Sequence, residues 1–295
     1  MNRECSLCPR MCRTDREKKT GYCGVTKTLR VARAALHFWE EPCISGTEGS
    51  GAVFFAGCNL RCVFCQNYQI AGGQQGKEIT VERLAEIFLN LQEQGANNIN
   101  LVTGTHYVPQ IAEALAEAKE QGLGLPVVFN CGGYERVETL RMLEGLVDIY
   151  LPDFKYMDCE RARRYSHAPD YPETAKAALA EMVRQQPEPI FDERRMMRKG
   201  VIVRHLMLPG GIKDSKAVVD YLYGTYKDRI YISLLNQYTP LPHVAAYPEI
   251  NRKLKKCEYD RLVDYAISLG VENGFIQEGE TAEESFIPAF TNEGV

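Results

Sequence analysis

Three cysteines share one short stretch, Gly57-Cys58-Asn59-Leu60-Arg61-Cys62-Val63-Phe64-Cys65-Gln66-Asn67, with three residues between the first two and two between the next pair. Three thiolates on one loop can hold three corners of an iron–sulfur cubane. The fourth iron then lacks a protein ligand and keeps the open position that a Lewis-acidic or substrate-binding metal requires. The alternative is a zinc knuckle completed by a distant Cys or His, although zinc ligands more often arrive as two separated Cys-x-x-Cys units. A second group, Cys5, Cys8, Cys12 and Cys23, precedes it. These four thiolates suffice for a closed site, either an auxiliary 4Fe-4S cluster or a zinc site that folds the segment. The wider gap between Cys8 and Cys12 and the neighbouring Pro9 favour the cluster over a zinc ribbon.

The chain holds eleven cysteines, eight of them among its first 65 residues. Its opening, Met1-Asn2-Arg3-Glu4-Cys5, has no apolar signal region. Thiols kept reduced inside a cell serve as metal ligands rather than disulfides, so a cytoplasmic protein is expected. No stretch approaches the roughly 20 apolar residues of a spanning helix, so no membrane attachment is expected. The net charge of -4 offers no basic surplus for nucleic acid.

Other elements must position these cysteines. Beyond residue 50, short apolar runs alternate with segments of helical period, the pattern of βα units around a parallel sheet. Strands are predicted at Ala52–Ala56, Ile99–Thr103, Val127–Asn130, Val147–Leu151, Val201–Leu206, Ile230–Leu234 and Phe275–Gln277. Helices are predicted at Val81–Glu93, Val108–Glu120, Tyr171–Gln185, Ser215–Tyr226 and Tyr259–Leu269. Gln186–Gly200 reads as a loop. The expected fold is α/β, a partial (β/α)6 barrel (51–278) with an N-terminal cysteine-rich metal-binding extension (1–50) and an acidic C-terminal tail (279–295). Functional groups of such barrels gather at the C-terminal ends of the strands, where the three-cysteine loop falls.

That loop resembles the hallmark of the radical S-adenosylmethionine superfamily, Cys-x-x-x-Cys-x-aromatic-Cys after the first barrel strand. The resemblance implies a 4Fe-4S cluster on Cys58, Cys62 and Cys65 whose open iron chelates S-adenosylmethionine and whose electron breaks the sulfonium bond. Methionine and a hydrogen-abstracting 5'-deoxyadenosyl radical result. It also implies that Phe64 packs near the adenine, that Asn67 belongs to the cofactor pocket, and that reduced flavodoxin or ferredoxin donates the electron.

Further segments resemble the pyruvate formate-lyase-activating branch, which installs a glycyl radical on a partner enzyme. Asp153-Phe154-Lys155 is similar to its Asp-Leu-Lys element, and Arg204 before Pro209-Gly210 is similar to its strand-five arginine. Lys155 and Arg204 then meet the S-adenosylmethionine carboxylate, the competing reading being a structural ion pair with Asp153. Where that branch has Gly-Gly-Glu, this chain has Thr103-Gly104-Thr105-His106-Tyr107, so Thr105 or His106 is expected to replace the missing carboxylate. Tyr238, in Asn236-Gln237-Tyr238, stands where the activases carry a ribose-contacting His. The whole set is most similar to a loosely defined group of pyruvate formate-lyase-activating-like proteins. A glycyl radical enzyme, a small molecule or another peptide is the expected substrate. A different class, an iron–sulfur electron carrier or metal-dependent binding protein, would have no use for the Lys155 and Arg204 segments. Cys43 is read as facing the active-site mouth, completing the N-terminal site or simply buried. Cys131 ends a strand and is read as lining the pocket or as core, and Cys159, Cys257, His37, His167 and His243 are read as structural.

Overall fold

The computed structural model describes residues 4–277 and 288–295. Its centre is a parallel sheet formed by β2 (Ser50–Phe55), β4 (Ile99–Val102), β5 (Val127–Cys131), β6 (Ile149–Pro152), β8 (Met197–Leu206), β9 (Tyr231–Leu235) and β10 (Gly274–Ile276). These are the seven predicted strands. The order runs β10-β9-β8-β6-β5-β4-β2-β1-β3, the sequential βαβ winding of a partial barrel. The extra edge was not predicted. β1 (Leu29–His37) pairs antiparallel with β2, β3 (Lys77–Ile79) pairs antiparallel with β1, and β7 (Ile190–Phe191) pairs antiparallel with β8. The sheet therefore begins at Leu29, inside the stretch expected as extension, and residues 186–200 include a hairpin where a loop was expected.

Helical period decides the outer layer. α3 (Val81–Glu93), α4 (Val108–Glu120) and α7 (Tyr171–Gln185) have the predicted bounds, while α8 (Ile212–Tyr226) and α9 (Lys256–Ser268) start three residues early. In α3, Thr80 caps the start by accepting the Arg83 amide, and Leu84, Ile87, Phe88 and Leu91 bury one face. The short helices α1 (Pro42–Ser45), α2 (Tyr68–Ala71) and α5 (Val137–Arg141) and the longer α6 (Cys159–Ser166) complete the set used below.

Strand alternation sorts side chains into two bodies. Val53, Phe55, Leu101, Phe129 and Val203 pack in the main core under the helices. Val128, Ile149, Leu151 and Ile202 instead pack with Cys43 and Ile44 of α1. The connection from β1 to β2 thus runs into the barrel interior and plugs its lower part. Two asparagine amides hold the plug: Asn98 donates to the Ile44 carbonyl and Asn97 to the Ser45 carbonyl, both at 2.7 Å. Cys43 is accordingly a buried filler, its thiol pushed up to about 12 by burial and by the Glu41 charge.

The described part of the C-terminal tail is packed. Asn292 donates to the Ala32 carbonyl, Ala34 donates to the Glu293 carbonyl at 2.8 Å, and Phe290 meets Phe54 edge-on. Residues 279–287 of that predicted tail lie outside the described residues.

Candidate active site

The cluster loop leaves β2 through Gly57, whose φ of +91° is open to glycine at little cost. A Cβ here would lie 2.8 Å from the Cys23 carbonyl and 3.0 Å from Val25, so the N-terminal segment presses directly on the loop's first turn. The Cys58 amide donates to that same Cys23 carbonyl, and Val63 donates to the Tyr165 carbonyl. Arg10 adds a brace, donating to the carbonyls of Asn59, Ser166 and His167. All three cysteines line one chamber of about 420 Å³ at the C-terminal ends of the strands. His37 and Phe54 line it from one end of the sheet and Phe275 and Gln277 from the other, as a sheet curled on itself requires.

The sulfurs meet donors. Leu60 N donates to Cys58 Sγ at 3.4 Å and Ser166 Oγ to Cys62 Sγ at 2.9 Å. Burial raises the Cys62 and Cys65 thiols; the neighbouring cysteines raise Cys65 further, while the Lys155 ammonium lowers both. Convergent, buried thiols that repel one another as thiolates need a cation to ionise, and donors to their sulfurs suit an iron–sulfur cluster. The three residues therefore fit the cluster their spacing implies.

Opposite them lies a charged lattice. Lys155 Nζ sits 2.6 Å from Asp153, Arg204 Nε lies 3.2 Å from Asp153, and Arg204 Nη1 lies 3.0 Å from Glu40. Arg204 also donates to Asn130 Oδ1 at 2.5 Å. Burial opposes ionisation of Asp153, but Lys155 and Arg204 outweigh it and hold the carboxyl below its usual range. The predicted ion pair with Asp153 is present, and Lys155, Arg204 and Asp153 all line the chamber.

Phe64 and Asn67 also line it. Thr105, His106 and Tyr238 do not, contrary to expectation. Thr105 donates to the buried Glu135 at 2.9 Å. His106 is buried with Nε2 on the Ala56 carbonyl at 2.8 Å; burial and the Arg16 charge depress it to about 3, so it is a neutral ring. Tyr238 donates its hydroxyl to the Ile250 carbonyl and packs behind Phe64 at 6.3 Å. Glu40, Glu41 and Asn130 were overlooked in the sequence and His37 was read as structural, yet all four line the chamber. The adjacent carboxylates of Glu40-Glu41-Pro42 directly after an apolar run were the available signal.

The N-terminal cysteines gather on the outer flank of the cluster loop. A Cβ on Gly21 would touch both Cys23 Sγ at 3.4 Å and Cys12 Sγ at 3.5 Å. Burial drives the Cys8 thiol up to about 12, with further upward pressure from Cys23, Cys5 and Cys12. Among the described residues no set of three His, Cys, Asp or Glu side chains is closed around a single ion. No helix among them is long and apolar enough to cross a membrane.

The model of the radical S-adenosylmethionine superfamily matches residues 52–222. The chain belongs to that superfamily. In this radical S-adenosylmethionine protein the match spans the cluster loop and the strand ends that carry Asp153, Lys155 and Arg204. An uncharacterized protein of Methanocaldococcus jannaschii is 28% identical over 271 residues, covering 90% of this chain and 74% of the relative. The fold is similar to SuiB of Streptococcus suis bound to S-adenosylmethionine, with a TM-score of 0.52, 15% identity and 75% of this chain covered. The chain spans about half of SuiB, 48% of its length. It is also similar to methylornithine synthase, with a TM-score of 0.53, 15% identity, 80% of this chain and 68% of that one.

Proposed function

We propose that the protein is a radical S-adenosylmethionine oxidoreductase that abstracts hydrogen from a small polar substrate admitted to the chamber. The observation that carries this reading is the single chamber shared by Cys58, Cys62 and Cys65 with Lys155 and Arg204. When bound, the cluster supplies the electron that breaks the sulfonium bond of S-adenosylmethionine. The chain's own groups do the rest. Lys155 and Arg204 orient a carboxylate against the cluster loop, Phe64 offers an apolar face, and the enclosed walls keep water from the radical.

Pro288 lines the chamber together with Trp39 and Ile276, so the C-terminal segment reaches the opening and favours a small substrate. A second reading, activation of a glycyl radical enzyme, is favoured by the same rim: Trp39 and Ile276 are exposed large apolar side chains of the kind a docking peptide covers. The electron then comes from reduced flavodoxin or ferredoxin in the cytoplasm. Cys5, Cys8, Cys12 and Cys23 hold a second 4Fe-4S cluster, or zinc, on the flank of the first.

Anaerobic reconstitution with dithionite and S-adenosylmethionine tests the central claim. Production of 5'-deoxyadenosine, abolished in Cys62→Ala, is the expected result; well-loaded protein that makes none contradicts it. Metal analysis of a Cys5→Ala, Cys8→Ala double variant decides the flank: loss of about four irons means a second cluster, loss of one zinc a structural site.

A further inference from the structure

Among the described residues, one buried acceptor on the chamber's floor has no partner. Glu40 is fully occupied: Asn100 and Asn130 donate to one oxygen at 3.0 and 3.1 Å, and Arg204 to the other at 3.0 Å. Its neighbour Glu41 is not. Ser233 bonds the Glu41 carboxyl, yet Glu41 Oε2 is buried with no partner, as is Asn100 Oδ1 alongside Glu40. Glu41 is only 7% exposed, and leaving a hydrogen bond unmade on a group so buried is costly.

Charge points the same way. Cysteines apart, the chamber's ionisable lining has three carboxylates, Glu40, Glu41 and Asp153, against two permanent cations, Lys155 and Arg204. His37 adds no positive charge near neutrality, because burial and the charges of Arg33 and Arg204 depress it to about 4. Burial, with the Glu40 charge, raises the Glu41 carboxyl above its ordinary value despite Arg204, so the floor lacks a further cation that would hold Glu41 ionised. A ligand that brings donors and one positive charge resolves both deficits. A hydroxyl brings the donor without the charge, and a carboxylate deepens the imbalance.

We infer that the floor around Glu41 is a binding site for an ammonium group, carried by a second substrate or by S-adenosylmethionine itself. This deepens the proposed radical chemistry and rests on it for the identity of the chamber. The second source would also explain how the chain manages without an acidic residue beside Gly104.

The reconstituted protein and its Glu41→Gln variant are titrated with S-adenosylmethionine by equilibrium dialysis, and with n-butylammonium, n-butanol and butyrate by thermal shift. About a tenfold loss of S-adenosylmethionine affinity in the variant supports the site and assigns it to the cofactor's amino group. Unchanged cofactor affinity, with stabilisation by butylammonium seen only in the wild type, supports it and assigns it to a substrate amine. Equal cofactor affinity together with no preference for butylammonium, or with a preference the variant retains, overturns it. Glu41→Asp, which keeps the charge but withdraws the oxygen, replaces the variant if that does not fold and is read the same way. Production of 5'-deoxyadenosine is scored separately: an active enzyme indifferent to Glu41 loses only the floor assignment, whereas an inactive one loses the radical reading.

Discussion

Ser166 Oγ donates a 2.9 Å hydrogen bond to Cys62 Sγ, joining the end of α6 to the middle cysteine of a loop 104 positions earlier. Tyr156 shares the same hydroxyl at 2.9 Å. Hydrogen bonds to ligating sulfur stabilise the added negative charge of a reduced cluster. Ser166→Ala should therefore shift the cluster's reduction potential to a more negative value and cost about 1 kcal/mol of stability. Potentiometric titration followed by electron paramagnetic resonance checks the first, and chemical denaturation the second.

Arg204 is held between Asp153, Glu40 and Asn130 inside the barrel. Arg204→Met leaves Glu40 buried without a cation and Asp153 with Lys155 alone, a loss of about 3–5 kcal/mol. Adding Glu40→Gln should recover part of that loss, since it removes the stranded charge. Denaturant midpoints of the single and double variants decide; a double variant less stable than Arg204→Met alone contradicts the account.

Glu135 is buried behind the cluster-side strand ends, with one oxygen accepting from Thr105 and the other without a partner. Burial raises its carboxyl from an ordinary 4.5 to about 7. The folded state then binds more protons than the unfolded one between those values, so this group's contribution falls as pH rises from 4.5 to 7 and is flat above. The penalty above pH 7 is about 3 kcal/mol, and Glu135→Gln should remove it. The variant should exceed the wild type in stability at pH 8 and approach it at pH 4.5.

Two buried histidines, His106 and His205, and the partly buried His37 act in the opposite direction. Burial depresses His37 and His205 to about 4 and His106 to about 3; His205 is further fixed between the Phe154 carbonyl and Ser215. Here the unfolded state binds more protons, so stability is lost as pH falls below 6.5 toward those values. His205→Gln, which keeps one donor and one acceptor, should flatten the acid side of the stability profile measured by thermal unfolding.

Gly57→Ala places a methyl 2.8 Å from the Cys23 carbonyl in a backbone conformation unfavourable to L-residues. We expect a loss of about 1–3 kcal/mol and reduced iron content after reconstitution, because the displaced turn carries Cys58. Iron and sulfide assays on the purified variant check it.

How much of this was legible in the sequence follows from what each feature depends on. The parallel strands and α3, α4 and α7 follow from local periodicity, which survives any tertiary arrangement. β1 escaped because a register shift between Val31 and Arg33 breaks its alternation, and its partner lies across a connection of twelve residues, 38–49. Cys58, Cys62, Cys65, Lys155 and Arg204 were legible because family spacing fixes them on strand ends. Glu40 and Glu41 were not, since their place depends on a connection that turns inward. Thr105, His106 and Tyr238 were sought in the chamber by position alone, yet Thr105 and His106 lie in a 3-10 turn beyond β4 and Tyr238 lies three residues beyond β9, where strand alternation no longer decides which way a side chain faces.

The segment that plugs the barrel contributes no rung to the parallel sheet, although it supplies the floor carboxylates. On the proposed reading, the groups that hold the cofactor and the floor that meets the ligand's amine are thereby housed on separable parts. The strand ends that carry the thiols and the cationic pair can stay fixed while residues 38–49 diverge, so the floor can be rewritten over a dozen positions without rebuilding the sheet above it.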